Sequence, residues 1–502
     1  MRITRFLPAL VAGALFALPA AATELKIGLQ DDADILDPAQ SQTFVGRIVY
    51  TALCDKLVDV SPDLQIVPQL ATEWHWSDDG KELSMKLREG VKFHDGTPFN
   101  AEAVVYDITR SMTLPESKRK SELKSVEKVE ATGEYEVKFT LKGPDVTLLA
   151  SLSDRAGMMI SPTAAKEMGL DFGNKPVCSG PFKFVERVQQ SRIVLEKFQD
   201  YWNKDNIFID KLTYMPIPDT TVRLANLRAG DLDMIERLAA SDAAAVKSDP
   251  GLSYESVVGT GWLGIYFNVG DSAQADNPLG KDKRLRQAFS LAIDREAANQ
   301  IVYEGTSVAG NQPFSPQSPW YDKDIPVPAR DIEKAKALVK EAGFDRVPVE
   351  LIVTNNPVSM QMMQVVQSMV AEAGFDVSLK ATEFTTLLDE MEAGNYQVGR
   401  SDWSGRADPD GNIHQFLTCK AALNQSKYCN PEVDKLLNEA RQAPDTAVRK
   451  QKYDAAAAIL QDDLPMTYIG HQSWIWALNK KVSGFVASPD GMIRLAGVKK
   501  AD

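Results

Sequence analysis

Along residues 134–141, EYEVKFTL, the chain alternates apolar and polar positions. Tyr135, Val137, Phe139 and Leu141 fall on one face of a half-buried strand. ELKIGL (24–29), VPVELIVT (347–354) and FDVSLKAT (375–382) read as further strands. Between them the period changes to that of a helix. GRIVYTALCDKL (46–57) gathers Ile48, Ala52 and Leu53 on one face. NAEAVVYDITRSM (100–112) starts with Asn100 placed to cap and Glu102 in the first turn. KRLRQAFSLAIDREAANQIVYEG (283–305) repeats Leu285, Phe289, Ala292 and Ile293, then Ile301, and predicts one helix ending at Gly305. DIEKAKALVKEAG, SMQMMQVVQSMVAEAG and TTLLDEMEAGNY predict three more, the first stopped by Gly343. Strands alternating with such helices imply crossover units on one sheet, hence an α/β protein. SDWSGRADPDGN (401–412) shows neither period, and Pro409 and a positive-φ Gly411 are expected to make it a turn.

The first residues follow a different logic. Arg2 and Arg5 precede an apolar run, Phe6 to Ala20, and then small residues. The run is shorter than the roughly 20 residues of a membrane span, so residues 1–22 read as a secretory signal cleaved after Ala22. No cysteine lies in or just after it, so no lipid anchor is expected. The whole chain carries a formal charge of −13, and cleavage removes two arginines. Such acidity argues against nucleic acid or an anionic membrane surface as partner. At 502 residues, more than one compact lobe is expected. Export makes the four cysteines candidates for disulfides. Cys419 and Cys429 flank one polar loop and would pair, leaving Cys54 for Cys178, with four free buried thiols as the alternative.

Signatures of chemistry are mostly missing. GTGWLG (259–264) matches a dinucleotide fingerprint, but strand-like IYFNV follows where a helix should. The sequence contains no phosphate-cradling loop, zinc-protease helix motif or nucleophile elbow. His75, His94, His414 and His471 stand far apart, and His414 is the best single candidate for a metal ligand. A binding protein outside the cytoplasm fits these features better than an enzyme, and no cofactor is expected.

Five stretches in order carry a resemblance: LREGVKFHDGTPFNAEAVVYDITRSM, CSGPFKFVERVQQSRIVLEKFQDYW, TTVRLANLRAGDLDMIE, GKDKRLRQAFSLAIDREAANQIVYEG and AGNYQVGRSDWSGRADPDG. Together the chain resembles the extracytoplasmic solute-binding proteins of ABC importers, in the branch serving peptides, opines and nickel (family 5). The resemblance implies a two-lobed periplasmic-binding-protein fold of type II, enlarged by an extra subdomain and closing on solute. Lobe I is expected at 23–260 plus 474–502, with the extra subdomain near 58–175, and lobe II at 261–473. VVGTGWLGIYFN and IGHQSWIWAL are the hinge candidates. In FHDGTPF, His94 and Asp95 are expected to bond backbone groups rather than solute.

The resemblance also implies a periplasmic receptor for peptides or peptide-like solutes, a monomer that meets membrane permease subunits and performs no catalysis. The alternative solute is an opine or other carboxylate-rich compound, with nickel or haem behind it. In dipeptide-binding members an acid follows the tryptophan of this last stretch and holds the solute's amine. Here that position is Arg406, and TNNPVSMQMM lacks the arginine that holds the peptide carboxylate. A cleft-facing Arg406 would favour an anionic group, and Asp408 beside it would suit a zwitterion. Otherwise Arg406 pairs internally with Asp402, Asp408 or Asp410. Trp403 is a candidate aromatic wall. Gln42, Thr43 and Phe44 before the first helix, and Trp262 and Tyr266 at the crossing, are further cleft candidates.

Overall fold

The computed structural model describes residues 22–501, so the signal-peptide reading falls almost wholly outside the described residues. Two large sheets organise the chain. The first runs Leu252–Val258, Ser473–Asn479, Met234–Ile235, Glu24–Leu29, Lys211–Pro216, Arg192–Lys197, Phe182–Val188. The second runs Val308–Ala309, Met466–His471, Trp262–Phe267, Val398–Trp403, Val347–Thr354, Phe375–Thr382. A four-stranded antiparallel sheet between residues 71 and 141 packs with helix Ala101–Thr113 around its own core, including Leu83, Phe93, Phe99 and Phe139.

Crossover units build the second sheet as expected. Val347–Thr354 lies parallel to Phe375–Thr382 and to Val398–Trp403. Helix Pro357–Ala371 makes the first crossing, capped by Asn356 and burying Met362, Met363, Val366 and Val370. The next helix, Phe384–Ala393, stops at Gly394 in the left-handed region. Two elements depart from expectation. Residues 283–305 form two helices, Lys283–Leu291 and Arg295–Tyr303, because the Asp294 carboxylate accepts from the Ala297 amide at 2.9 Å and starts a new one. On the second helix Ile301 is 53% exposed. Residues 401–412 are not one irregular turn. Strand Val398–Trp403 enters, helix Asp410–Leu417 leaves, and Gly411 has no positive φ.

The chain passes between the large sheets at two places close together. Leu252–Val258 ends in the first, and Trp262–Phe267 begins in the second. It returns at Gln472, between Met466–His471 and Ser473–Asn479. The Nδ1 of His471 donates to the Gly261 carbonyl at 2.7 Å, tying one passage to the other. Gly261 is required by close approach: a Cβ there would stand 1.8 Å from the Trp403 carbonyl oxygen. Gly261→Ala should therefore cost about 1–3 kcal/mol, the usual range for overpacking. A urea midpoint matching the wild type would show that the passage yields more easily than this. We take the two sheets as the cores of two lobes and propose their boundaries at 260/261 and 473/474, with the four-stranded sheet as the extra subdomain of the first.

Both disulfides form in the expected pairing, Cys54 with Cys178 and Cys419 with Cys429. The first abuts the FHDGTPF turn. His94 accepts from the Cys178 amide through Nδ1 at 3.2 Å and donates to the Gly180 carbonyl through Nε2 at 3.0 Å. Asp95 accepts from the Thr97 amide at 3.0 Å. Both residues thus bind backbone.

Candidate functional site

The site begins with helix Phe44–Leu53. Thr43 caps it, accepting from the Gly46 amide at 3.1 Å and donating to Asp34 at 2.9 Å. Asp34 also accepts from the Gln42 amide at 2.7 Å, so that loop is held from below. One helical turn after the cap, Arg47 points at Asp154, Nε to Oδ1 at 3.2 Å and Nη2 to Oδ2 at 3.0 Å. Asp154 itself caps the short turn Arg155–Gly157, accepting from the Arg155 amide at 2.7 Å.

Arg406 reaches the same carboxylate from the second lobe, Nε to Asp154 Oδ2 at 2.8 Å. It lies over the Trp403 ring at 4.3 Å, a cation–π contact. Its amide donates to Asn412 Oδ1 at 2.8 Å, and that oxygen also accepts from Trp403 Nε1 at 3.0 Å. Gly411 gives it room, since a Cβ would stand 2.7 Å from Arg406 Cβ. Beside it, Arg47 Nη1 donates to Ser404 Oγ at 3.3 Å, a second contact between lobes. Arg406 is therefore paired, but with none of the three neighbours expected. Asp402 takes Arg400, Asp408 takes Arg449 and Asp410 takes Arg441. Asp408 is withdrawn as a solute ligand, because its two oxygens accept from Arg449 at 2.6 and 2.9 Å.

The charges here do not balance. Among the described residues, Arg119, Arg47, Arg155 and Arg406 form ion pairs with just two acids, Asp154 and Glu122, while Asp490, which also feels Arg47, is paired with Arg494 at 2.7 Å. Arg155 and Arg119 both donate to the Ser41 carbonyl, at 2.9 and 3.1 Å. Burial opposes charge on Asp154, yet Arg406, Arg47 and Arg155 overcome it and hold the carboxyl well below its usual range. Burial and then the neighbouring Arg47 push Arg406 down to about 9. Burial and then Arg119 push Arg155 down to about 10. The guanidinia crowd one another, which is the condition for attracting an anion.

The aromatic candidates separate. Phe44 stacks on Trp474, centroids 4.4 Å apart and planes 1° from parallel, at the edge of this cluster. Trp403 is half-buried beside Arg406. Trp262 and Tyr266 are corrected to core residues. They are 1% and 2% exposed, within a cluster containing Phe416 and Tyr468, and Trp262 Nε1 donates to the Asn412 carbonyl at 3.1 Å. His414 meets Asn438 Oδ1 at 3.1 Å, and among the described residues no group of three or more histidines, cysteines or acids is placed to hold a metal. The cluster residues Arg47, Asp154 and Arg155 escaped sequence analysis. The available signal was SDRAG, a charged pair inside the apolar run from Leu148 to Ile160.

The profile of bacterial extracellular solute-binding proteins, family 5 (middle), matches residues 65–424. The chain belongs to that family. Glutathione-binding protein GsiB of Pectobacterium atrosepticum is 28% identical over 497 residues, covering 96% of this chain and 95% of that protein. The oligopeptide-binding protein AppA of Bacillus subtilis, solved with a nonapeptide, is 26% identical with a TM-score of 0.85, covering 95% of this chain and 99% of AppA. AgaA of A. tumefaciens R10, solved with agropinic acid, is 26% identical with a TM-score of 0.83 and the same coverage. The fold of this solute-binding protein is thus the two-lobed one of periplasmic binding proteins, and its family works in solute transport.

Proposed function

We propose that the protein is the periplasmic receptor of an ABC importer, and that its solute is a peptide-like compound carrying a carboxylate held at the Arg47–Arg155–Arg406 cluster. The observation that carries this reading is the surplus of guanidinia over carboxylates where the two lobes touch. A guanidinium offers paired donors to a carboxylate and cannot accept from an ammonium. A relative named for glutathione and a structure solved with agropinic acid support this solute class, since each of those compounds carries at least one carboxylate. Solute bridging the lobes favours the shut arrangement by population shift, and permease subunits would read that arrangement.

Glutathione should raise the melting temperature of the mature protein by several degrees at a hundredfold excess over Kd, where linkage supplies about 2.7 kcal/mol. The cluster keeps some contact with solvent, Arg406 being 14% exposed, so the gain should shrink between low and high salt. Stronger stabilisation by cationic or uncharged peptides than by acidic ones would reject the anionic solute.

A further inference from the structure

A second arginine faces the same junction without a role in that cluster. Arg237 follows the strand Met234–Ile235 and has a φ of +51°, a left-handed conformation costly for a residue with a side chain. The strain is held in place from beneath, where the buried Arg223 donates Nη2 to the Arg237 carbonyl at 2.9 Å. The result is a guanidinium set beside the Phe44–Trp474 stack, 4.9 Å from one ring and 5.2 Å from the other. Its Nε has no hydrogen-bond partner, although the atom is buried. That Nε instead makes an ion pair with its buried neighbour Glu236, 3.4 Å from Oε2, whose carboxyl burial raises above its usual range against the pull of Arg237 and Arg223.

Across the junction stands the C-terminal end of helix Arg295–Tyr303. The Tyr303 hydroxyl lies within the field of both Arg237 and Arg400. Arg400 is paired with Asp402 at 2.6 Å, donates to Ser359 Oγ at 3.2 Å and is a hydrogen-bond partner of the Tyr303 hydroxyl. Two guanidinia, one from each lobe, thus stand near the Tyr303 hydroxyl, with Arg237 beside the edges of the stacked Phe44 and Trp474 rings. A strained backbone maintained by a buried arginine marks a placement that packing alone does not need.

We propose that Arg237 is a specificity-determining residue, holding a second carboxylate of the solute beside the Phe44–Trp474 stack and separate from the Arg406 cluster. The inference rests on the receptor reading above and refines it: the solute is anionic at two points. A planar fork that donates in pairs suits a carboxylate, and Tyr303 can add a donor when the lobes close.

The test uses full-length mature protein and calorimetry. The probe is whichever solute wild-type protein carries out of the periplasm, identified by mass spectrometry, or glutathione where none is carried. It is prepared as the free acid and with each carboxylate amidated in turn. Wild-type protein should lose about tenfold or more in affinity on either amidation. Arg237→Gln should bind the free acid about tenfold more weakly, become indifferent to one amidation and stay sensitive to the other. Arg237→Lys should recover part of the lost sensitivity. A general folding defect would not remove one preference and spare the other. If Arg237→Gln retains both sensitivities, or wild-type protein shows only one, the second subsite is wrong and the receptor reading stands. If wild-type protein carries nothing and ignores glutathione, the receptor reading falls and the subsite falls with it.

Discussion

Asp154→Asn should be among the most damaging single changes in the chain, costing about 3–5 kcal/mol, the range seen when one member of a buried ion pair is removed. Asp154 is the anion shared by Arg47, Arg406 and Arg155, at 3.0, 2.8 and 3.7 Å. Its side chain is 7% exposed, so water cannot take over the task. An amide of the same shape would leave three guanidinia facing one another. Arg406→Gln should cost less, because Asp154 keeps Arg47 and Arg155. The asymmetry is the point of the experiment. Chemical denaturation of both variants and of the double variant gives the coupling, expected to be at least 1 kcal/mol for groups in direct contact. Equal losses from the two single changes would mean that the cluster is not overcharged. The lobes should also separate more readily in Asp154→Asn, since the shared carboxylate is an ionic contact between them. Small-angle scattering of unliganded protein would read this as a larger radius of gyration. Added anionic solute should reverse part of the loss, which a purely structural carboxylate would not permit.

Much of this architecture can be read from local pattern. VPVELIVT and FDVSLKAT became the adjacent parallel strands their spacing implied. The glycines of GTGWLG serve a backbone crossing rather than a phosphate, as the strand after them suggested. What stayed hidden was long-range or depended on which face of an element is covered. Arg406 and Asp154 lie 252 positions apart, and nothing near either one indicates the other. Asp402, Asp408 and Asp410 were the obvious partners by proximity, yet each met a different arginine once strand and helix directions were set. Trp262 and Tyr266 were expected at the cleft because they sit beside the crossing. Their strand is buried at every position, and the unbroken run WLGIYF signals cover on both faces. The break inside 283–305 was legible too, since Asp294 followed by Arg295-Glu296-Ala297 has the form of a new N-terminus. Arg237 had no such mark. Its importance comes from a left-handed torsion and an aromatic stack assembled from positions 44 and 474.

Acid should weaken the fold through His471, the residue that ties the two passages between the sheets. The imidazole is fully buried. A carbonyl can only accept, so the bond to Gly261 fixes a proton on Nδ1. Gly310 packs against Nε2, where a Cβ would stand 2.5 Å away. Burial therefore disfavours the charged ring and lowers its pKa to about 4 from an ordinary 6.5. Between those two values the unfolded chain binds a proton that the folded chain does not. Stability from this residue is complete above pH 6.5 and declines as the pH falls toward 4, by about 3 kcal/mol in all. His94, also pushed down to about 4 by burial, acts in the same direction at the disulfide turn. Asp55, raised by burial to about 7, takes up a proton in the folded chain over the same range and offsets part of this loss, so the prediction is a difference in the pH dependence of the melting temperature between wild type and variant. His471→Gln, which keeps a donor for Gly261, should show a visibly shallower drop while His94 maintains the remainder. Identical pH profiles would mean that His471 is protonated without penalty, and the passages would then not be tied by a neutral ring. Because the bond joins the segments through which one lobe turns against the other, the same acidification should loosen solute before the protein unfolds, so affinity ought to decline at a higher pH than the melting transition does.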